Sequence, residues 1–234
     1  MKLLISNQHG AIVMALLPFL YGMLSRSLIW QDIFLLLAWC SLYLFTYPFF
    51  SLFKGKNLAK YQKWTFIYGI ASAVFSVPVF LYHWQTVYAI VAMLPFSALS
   101  IYFVKKKDER NLLNDFAGIA IFAIAGIMAY EFNHPLDLHA INIALYPSLF
   151  FIGTTLYVKS SMRERKNPKY YYVSLLFHVA CLLLCAALQH WWLTGAFIIA
   201  LIRAYWLPRQ KLSVKQIGLI EMVVSLLFFI ALLI

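Results

Sequence analysis

Charge is scarce in this chain. Only 12% of its 234 residues are Asp, Glu, Lys or Arg, whereas 64% are hydrophobic, and the mean hydropathy is +0.80. A soluble domain carries about 25% charged residues, so this composition excludes a soluble globular domain, whose core could not enclose so much apolar surface. The scarcity of charge therefore predicts a protein whose solvent is lipid.

Cysteine and the short motifs of common enzyme classes are also sparse. The three cysteines include no CxxC pair and give no support to a redox role. His178, Cys181 and Cys185 would share a helical face, but residues seven apart are separated by about 10 Å along the axis, too far for ligands of one ion held at about 2.0–2.3 Å. No glycine-rich phosphate loop, G-x-S-x-G or H-E-x-x-H occurs. We therefore expect no metal site and no cofactor.

Long apolar runs are abundant. Stretches of about 20 apolar residues predict an all-α, polytopic transmembrane helix bundle that forms one integral membrane domain, 1–234. We interpret the N-terminal run as a retained first span, because Asn7, Gln8 and His9 interrupt it early and no small-residue cleavage site follows. The nine predicted spans are roughly 10–27, 29–52, 64–82, 85–104, 111–131, 138–158, 170–189, 191–207 and 214–234.

The basic residues between these runs predict an orientation. The second, fourth, sixth and eighth connections hold 17 of the 19 Lys and Arg residues, whereas the odd connections hold only Arg26. The positive-inside rule then predicts a cytoplasmic N-terminus and an external C-terminus. Although the net charge is +11, short clusters between spans are typical of a membrane protein. We therefore expect membrane lipids, and not nucleic acid, as partners.

A polar stripe opens the fifth span in the segment "ERNLLNDFAGIAIF". Asn111, Asn114, Asp115 and Gly118 have helical spacings of 0, 3, 4 and 7, so they lie on one face. Asn111 is suited to cap the helix. An intramembrane carboxylate one turn further in usually has a partner or a task, and we hypothesise that Asp115 pairs with a basic residue such as Arg110, Arg163 or Lys215.

Further polar residues lie in the cytoplasmic halves of the predicted spans. Each taken singly is more typical of a structural hydrogen-bond partner, but several on one side of the membrane favour a shared polar pocket that opens to the cytoplasm. The candidate residues for this pocket are His9, Arg110, Asn111, Asn114, Asp115, Lys159, Arg163, Glu164, His178, Lys215 and Glu221. We identify no catalytic residue among them.

Four segments together resemble the YwiC-like family of bacterial integral membrane proteins. They are "NQHGAIVMALLPF", "ERNLLNDFAGIAIF", "YVKSSMRERKNPKYYYVSLLFH" and "KQIGLIEMVVSLLFF", and the resemblance extends over nearly the whole chain. It implies a location in the bacterial cytoplasmic (inner) membrane and supplies no reaction.

The predicted architecture is also similar to that of UbiA-type prenyltransferases, which hold magnesium and a prenyl diphosphate with two Asp-rich motifs. Asp108, Asn111 and Asp115 resemble a remnant of one motif, and the second is absent. A cradle of Arg and Lys for an anionic head group suits the remaining residues better. We therefore expect a pocket for an anionic, lipid or isoprenoid head group. A UbiA-like intramembrane transferase and a small transporter remain alternatives, and the oligomeric state is open.

Overall fold

A computed structural model describes residues 3–5, 9–55, 57–210 and 212–234, apart from the side chain of His9. Within these ranges the chain forms nine α-helices and no strand. The helices are α1 (His9–Leu24), α2 (Asp32–Leu52), α3 (Leu58–Tyr82), α4 (Thr86–Lys105), α5 (Leu112–Glu131), α6 (His139–Val158), α7 (Pro168–Ala187), α8 (Trp191–Trp206) and α9 (Val214–Leu233).

The helix boundaries confirm the predicted all-helical membrane fold. In the described part of the chain, the eight helices from α2 to α9 are long and apolar enough to cross a membrane. The first helix, α1, has 16 residues and is shorter. The largest difference from the predicted starts lies at α3, which begins at Leu58, six residues before the predicted start at 64. The chain is therefore a multi-pass membrane protein.

Local sequence explains where several helices begin. The side-chain oxygen of Asn111 accepts a hydrogen bond from the backbone N–H of Leu113, so Asn111 caps α5 as predicted. Asn167 caps α7 in the same way, with Pro168 at the first helical position. Ser213 and Gln216 form a reciprocal capping box at the start of α9. Polar residues at the span ends thus satisfy backbone groups that lipid could not.

The chain divides into two compact units. The first unit comprises Met1–His9 and Pro18–Ala144, and the second comprises Gly10–Leu17 and Leu145–Ile234. In the first unit α2 packs along α3, and α4 packs along α5. In the second unit α8 packs against both α7 and α9.

Small residues bring α1 and α5 together in the first unit. A Cβ atom on Gly22 would overlap the carbonyl oxygen of Gly126, and one on Gly126 would lie 2.7 Å from the carbonyl oxygen of Pro18. Only glycine permits this backbone approach, which is a common way for helices to pack in membranes.

Aromatic rings join three helices in the second unit. The rings of Phe150 (α6) and Phe228 (α9) stack with centroids 4.1 Å apart, and Phe197 (α8) meets Phe228 edge-on at 5.6 Å. This apolar layer positions α6, α8 and α9, which carry Thr154, Arg203 and Glu221.

Candidate functional site

The predicted pocket residues divide between the two units. In the first unit lie Arg110, Asn111, Asn114 and Asp115. His9 begins α1, but its side chain lies outside the described residues. In the second unit lie Lys159, Arg163, Glu164, His178, Lys215 and Glu221.

In the first unit the polar residues hold the start of α5 to the connection that precedes it. The Asn111 amide donates to the carboxylate of Asp108 at 2.8 Å, and the Asn114 amide donates to the carbonyl oxygen of Glu109 at 2.7 Å. Arg110 is exposed and Asp115 is half-buried, and neither is without an interaction partner. The contacts of the two asparagines indicate a local structural role for those two residues.

In the second unit Glu221 forms a buried ion pair with Arg203. The distance from Arg203 Nη1 to Glu221 Oε2 is 2.6 Å, and Arg203 Nη2 lies 3.3 Å from the hydroxyl oxygen of Thr154. Arg203 is 4% exposed and Glu221 is 7% exposed. The guanidinium carbon also lies 4.7 Å from the centroid of the Tyr157 ring. Arg203 therefore connects α6, α8 and α9.

This ion pair is incompletely satisfied. Within the described part of the chain, neither the Nε–H donor of Arg203 nor the Oε1 acceptor of Glu221 has a hydrogen-bond partner, although both atoms are buried. Buried polar groups are almost always hydrogen-bonded, and each exception calls for an explanation. The free donor and acceptor mark the pair as a place where a further polar group could bind.

His178 lies beside Gly153, the residue of α6 that precedes Thr154. A Cβ atom on Gly153 would be 3.0 Å from His178 Nε2, so this glycine lets the imidazole approach the helix backbone. His178 Nδ1 lies 2.7 Å from the carbonyl oxygen of Ser174. The buried hydroxyl of Ser174 has no hydrogen-bond partner among the described residues. His178 thus lies against Gly153, and Arg203, the partner of Glu221, contacts the next residue of α6, Thr154.

A π-helical turn follows α6 and carries another predicted residue. This turn, Lys159–Arg163, buries Lys159, Ser160 and Ser161. Arg163 is exposed, and neither Lys159 nor Arg163 is without an interaction partner. The π turn is frequent at functional sites. We define the polar cluster as Thr154, Ser174, His178, Arg203 and Glu221, which the contacts above connect; Lys159 is buried in the turn that follows α6.

The remaining candidates of the second unit lie at its surface. Lys215 is exposed in the first turn of α9, and Glu164 is half-buried at the end of the π turn. The cysteines occupy a different environment, because Cys181 and Cys185 are buried on α7 as free thiols. Both side chains therefore contribute to the packed interior.

Two arginines that the sequence analysis counted among the connections between spans are buried in the structure. Arg203 lies within α8 and is buried against Glu221. Arg26 is also buried, and its guanidinium pairs with Asp32. The signal for Arg203 was its position inside the apolar run 191–207, since a cation within a span needs a partner at similar depth.

The polar cluster combines one ion pair with further hydrogen-bond donors. Its charged members are Arg203 and Glu221, one cation and one carboxylate, and both are buried. No group of three His, Cys, Asp or Glu residues in the described ranges is arranged to hold a metal ion. The cluster can supply charge-assisted hydrogen bonds to an anion.

Comparisons with known proteins indicate the family. The family model described as "YwiC-like protein" matches residues 5–130. An uncharacterized protein of Haemophilus influenzae is 58% identical over 100% of this chain and 99% of its own length. The uncharacterized protein YwiC of Bacillus subtilis is 38% identical over 99% of this chain and 97% of its own length. No solved structure gives a significant match. With a family model covering more than half of the chain and relatives aligned along its whole length, the chain belongs to the YwiC-like family.

Proposed function

We propose that this chain is a multi-pass protein of the bacterial inner membrane that binds the phosphate-bearing head group of a lipid or isoprenoid in its polar cluster. The observation that carries the proposal is the unsatisfied Arg203–Glu221 pair, whose Nε–H donor is buried without an acceptor in the described part of the chain. A phosphate oxygen is a strong acceptor, and guanidinium groups are suited to bind it.

The hydrogen-bond donors of the cluster support an anionic ligand. Arg203 pairs with one oxygen of Glu221 and keeps its Nε–H donor without an acceptor among the described residues. The buried hydroxyl of Ser174, which also has no partner among these residues, is a further donor. The proposal includes Lys159, which is buried in the turn after α6 and would bring a second cation to the bound anion.

The distribution of basic residues supports a cytoplasmic opening. Lys159 follows the end of α6, Arg203 lies in the last turn of α8, and Glu221 lies about two turns into α9. These ends adjoin the connections that are rich in Lys and Arg, which the positive-inside rule assigns to the cytoplasm. A reporter enzyme that is active only in the periplasm should therefore work when fused after Ile234 and be silent after Lys107. The reverse pattern would contradict this orientation.

Binding to purified protein in detergent tests the assignment. The probes are dioleoyl phosphatidic acid, a lipid phosphate, and inorganic diphosphate, a soluble one. Lys159→Gln should weaken phosphatidic acid binding about tenfold, the effect of losing one charge-assisted hydrogen bond. The matched control is Lys166→Gln, the same change at an exposed position of the same connection, which should leave binding unchanged.

A second variant covers the case in which Lys159→Gln does not fold. Arg203→Lys keeps the positive charge but removes the Nε–H donor, and it should also weaken binding while thermal unfolding remains cooperative. Equal losses in Lys159→Gln and Lys166→Gln would show generic charge attraction and refute the site. Binding of diphosphate without binding of phosphatidic acid would refute a lipid head group as the ligand.

A further inference from the structure

A groove between α7 and α8 lies outside the polar cluster. Its volume is about 590 Å³, within the range of about 300–1,000 Å³ that is typical of small-molecule sites. Most of its wall is apolar: Leu175 and Val179 come from α7, and Leu201, Ile202 and Trp206 come from α8. From Leu201 to Arg209 the groove follows the helix for about 12 Å, at 1.5 Å per residue.

One end of the groove carries a positive charge. Arg209 lies in the short 3₁₀ turn that follows α8 and lines the groove together with Tyr205 and Gln210. Its guanidinium donates to the hydroxyl oxygens of Tyr205 at 3.2 Å and of Tyr171 at 3.1 Å. The guanidinium carbon also lies 4.2 Å from the centroid of the Tyr205 ring. These partners hold the side chain in place and leave its charge uncompensated, since no salt bridge joins Arg209 to a described carboxylate.

A second cation lies beside this end. Arg165 Nη2 donates to the carbonyl oxygen of Gln210 at 3.2 Å. Gln210 follows Arg209 in the chain and also lines the groove. Two guanidinium groups therefore lie at one end of the largely apolar groove.

Aromatic side chains indicate the depth of this end in the membrane. Tyr205 and Trp206 at the end of α8 are 50% and 62% exposed, and Tyr172 near the start of α7 is 62% exposed. Amphipathic rings that point away from a helix bundle favour the boundary between hydrocarbon and head groups. The charged end of the groove thus lies at head-group level, and the apolar part extends into the hydrocarbon.

We propose that this groove binds an anionic phospholipid. One acyl chain packs along Leu175, Val179 and Ile202, and the phosphate accepts hydrogen bonds at Arg209 with Arg165 nearby. This site stands whether or not the polar cluster binds a ligand, because it uses different residues. The charge complementarity favours an anionic lipid over a second copy of the chain, since an apolar helix face would offer no acceptor to Arg209.

The test measures lipid binding by the purified full chain in detergent, using native mass spectrometry. Phosphatidylglycerol and phosphatidylcholine with identical oleoyl chains are the probes, and glycerol phosphate serves as the soluble head group. The wild type should bind phosphatidylglycerol about tenfold more tightly than phosphatidylcholine, and glycerol phosphate should not compete. Arg209→Gln should abolish the preference for phosphatidylglycerol, whereas Lys60→Gln, which removes an exposed cation on α3, should keep it.

A second pair of variants tests the apolar part without changing charge. Val179→Trp should fill the groove and weaken phosphatidylglycerol binding about tenfold. Val173→Trp is the matched control, because Val173 is an exposed residue of α7 that does not line the groove. Equal binding of both lipids, effective competition by glycerol phosphate, or no effect of Val179→Trp would each overturn the proposal. Cross-linking of two chains through Val179 in a lipid-free sample would also overturn it, since a second copy would then occupy the groove.

Discussion

Each of the two units holds a buried ion pair between an arginine and a carboxylate, and the two pairs differ in how fully they are satisfied. In the first unit Arg26 donates from Nη1 to Asp32 Oδ2 at 2.9 Å and from Nη2 to Oδ1 at 2.5 Å. Its Nε donates to the carbonyl oxygen of Ala129 at 2.9 Å, and Asp32 also accepts from the backbone N–H of Ile29 at 2.7 Å. In the second unit a single bond joins Arg203 to Glu221, and one atom on each side lacks a partner among the described residues.

This difference indicates that the Arg26–Asp32 pair has a structural role, whereas the Arg203–Glu221 pair can accept a ligand. A bidentate pair whose remaining groups also have partners is a rigid connection, and it ties the loop after α1 to the end of α5. A buried pair with a free donor and a free acceptor carries an energetic cost that folding alone does not recover. We therefore assign stability to the pair of Arg26 and function to the pair of Arg203.

The largest expected effect is the loss of stability on breaking the satisfied pair. Asp32→Asn would leave the buried guanidinium of Arg26 without a counter-charge and should lower the free energy of unfolding by about 3–5 kcal/mol. Thermal unfolding in detergent measures this loss. The control is Lys54→Gln, which breaks the exposed pair of Lys54 and Glu109 at 2.8 Å and should cost about 0–1 kcal/mol. Similar losses in both variants would contradict the structural role of the buried pair.

Substitution of Asp115 tests whether the first unit contains a second carboxylate that stabilises the fold by pairing with a cation. Because Asn111 already caps α5, Asp115 is not needed as the cap. If it pairs with a basic residue as hypothesised, Asp115→Asn should strand a cation and cost about 3 kcal/mol. An interaction with the helix dipole alone would account for only about 0.3–1 kcal/mol. A loss in that lower range, measured by thermal unfolding, would end the pairing hypothesis.

A third carboxylate, exposed and outside the spans, should give the smallest effect. Burial would raise the pKa of Asp137, but hydrogen bonds from the Tyr130 hydroxyl and the backbone N–H of His139 outweigh it, so the pKa is lowered. Its stabilising contribution is therefore present above the unfolded pKa of about 3.9 and is lost as the pH falls through the lower, folded value. The difference in unfolding temperature between wild type and Asp137→Asn should be small at pH 7 and vanish at strongly acidic pH. A difference that grows on acidification would show that the sign is wrong.

The sequence predicted helices better than partners. Runs of about 20 apolar residues separated by basic clusters mark spans directly, because lipid permits few alternatives to a helix, and the cap at Asn111 follows from its local spacing. Glu221 and His178 were recognised as intramembrane polar residues because they lie within such apolar runs. Their contacts could not be predicted, since Arg203, Thr154 and Gly153 lie on other helices, and neither helix packing nor rotation follows from composition. The π turn that buries Lys159 has no sequence signal that distinguishes it from a regular helix end.

The most direct test of the account is the affinity of Glu221→Gln for dioleoyl phosphatidic acid. Glutamine keeps the shape and an acceptor for Arg203 but removes the negative charge that lies beside Arg203 in the polar cluster. If the cluster binds an anion, Glu221→Gln should bind phosphatidic acid roughly tenfold more tightly than the wild type, because a repulsive charge close to the phosphate has been removed. Asp32→Asn, measured below its unfolding temperature, should bind with unchanged affinity. An unchanged or weaker affinity of folded Glu221→Gln would contradict the claim that the open pair is a binding site.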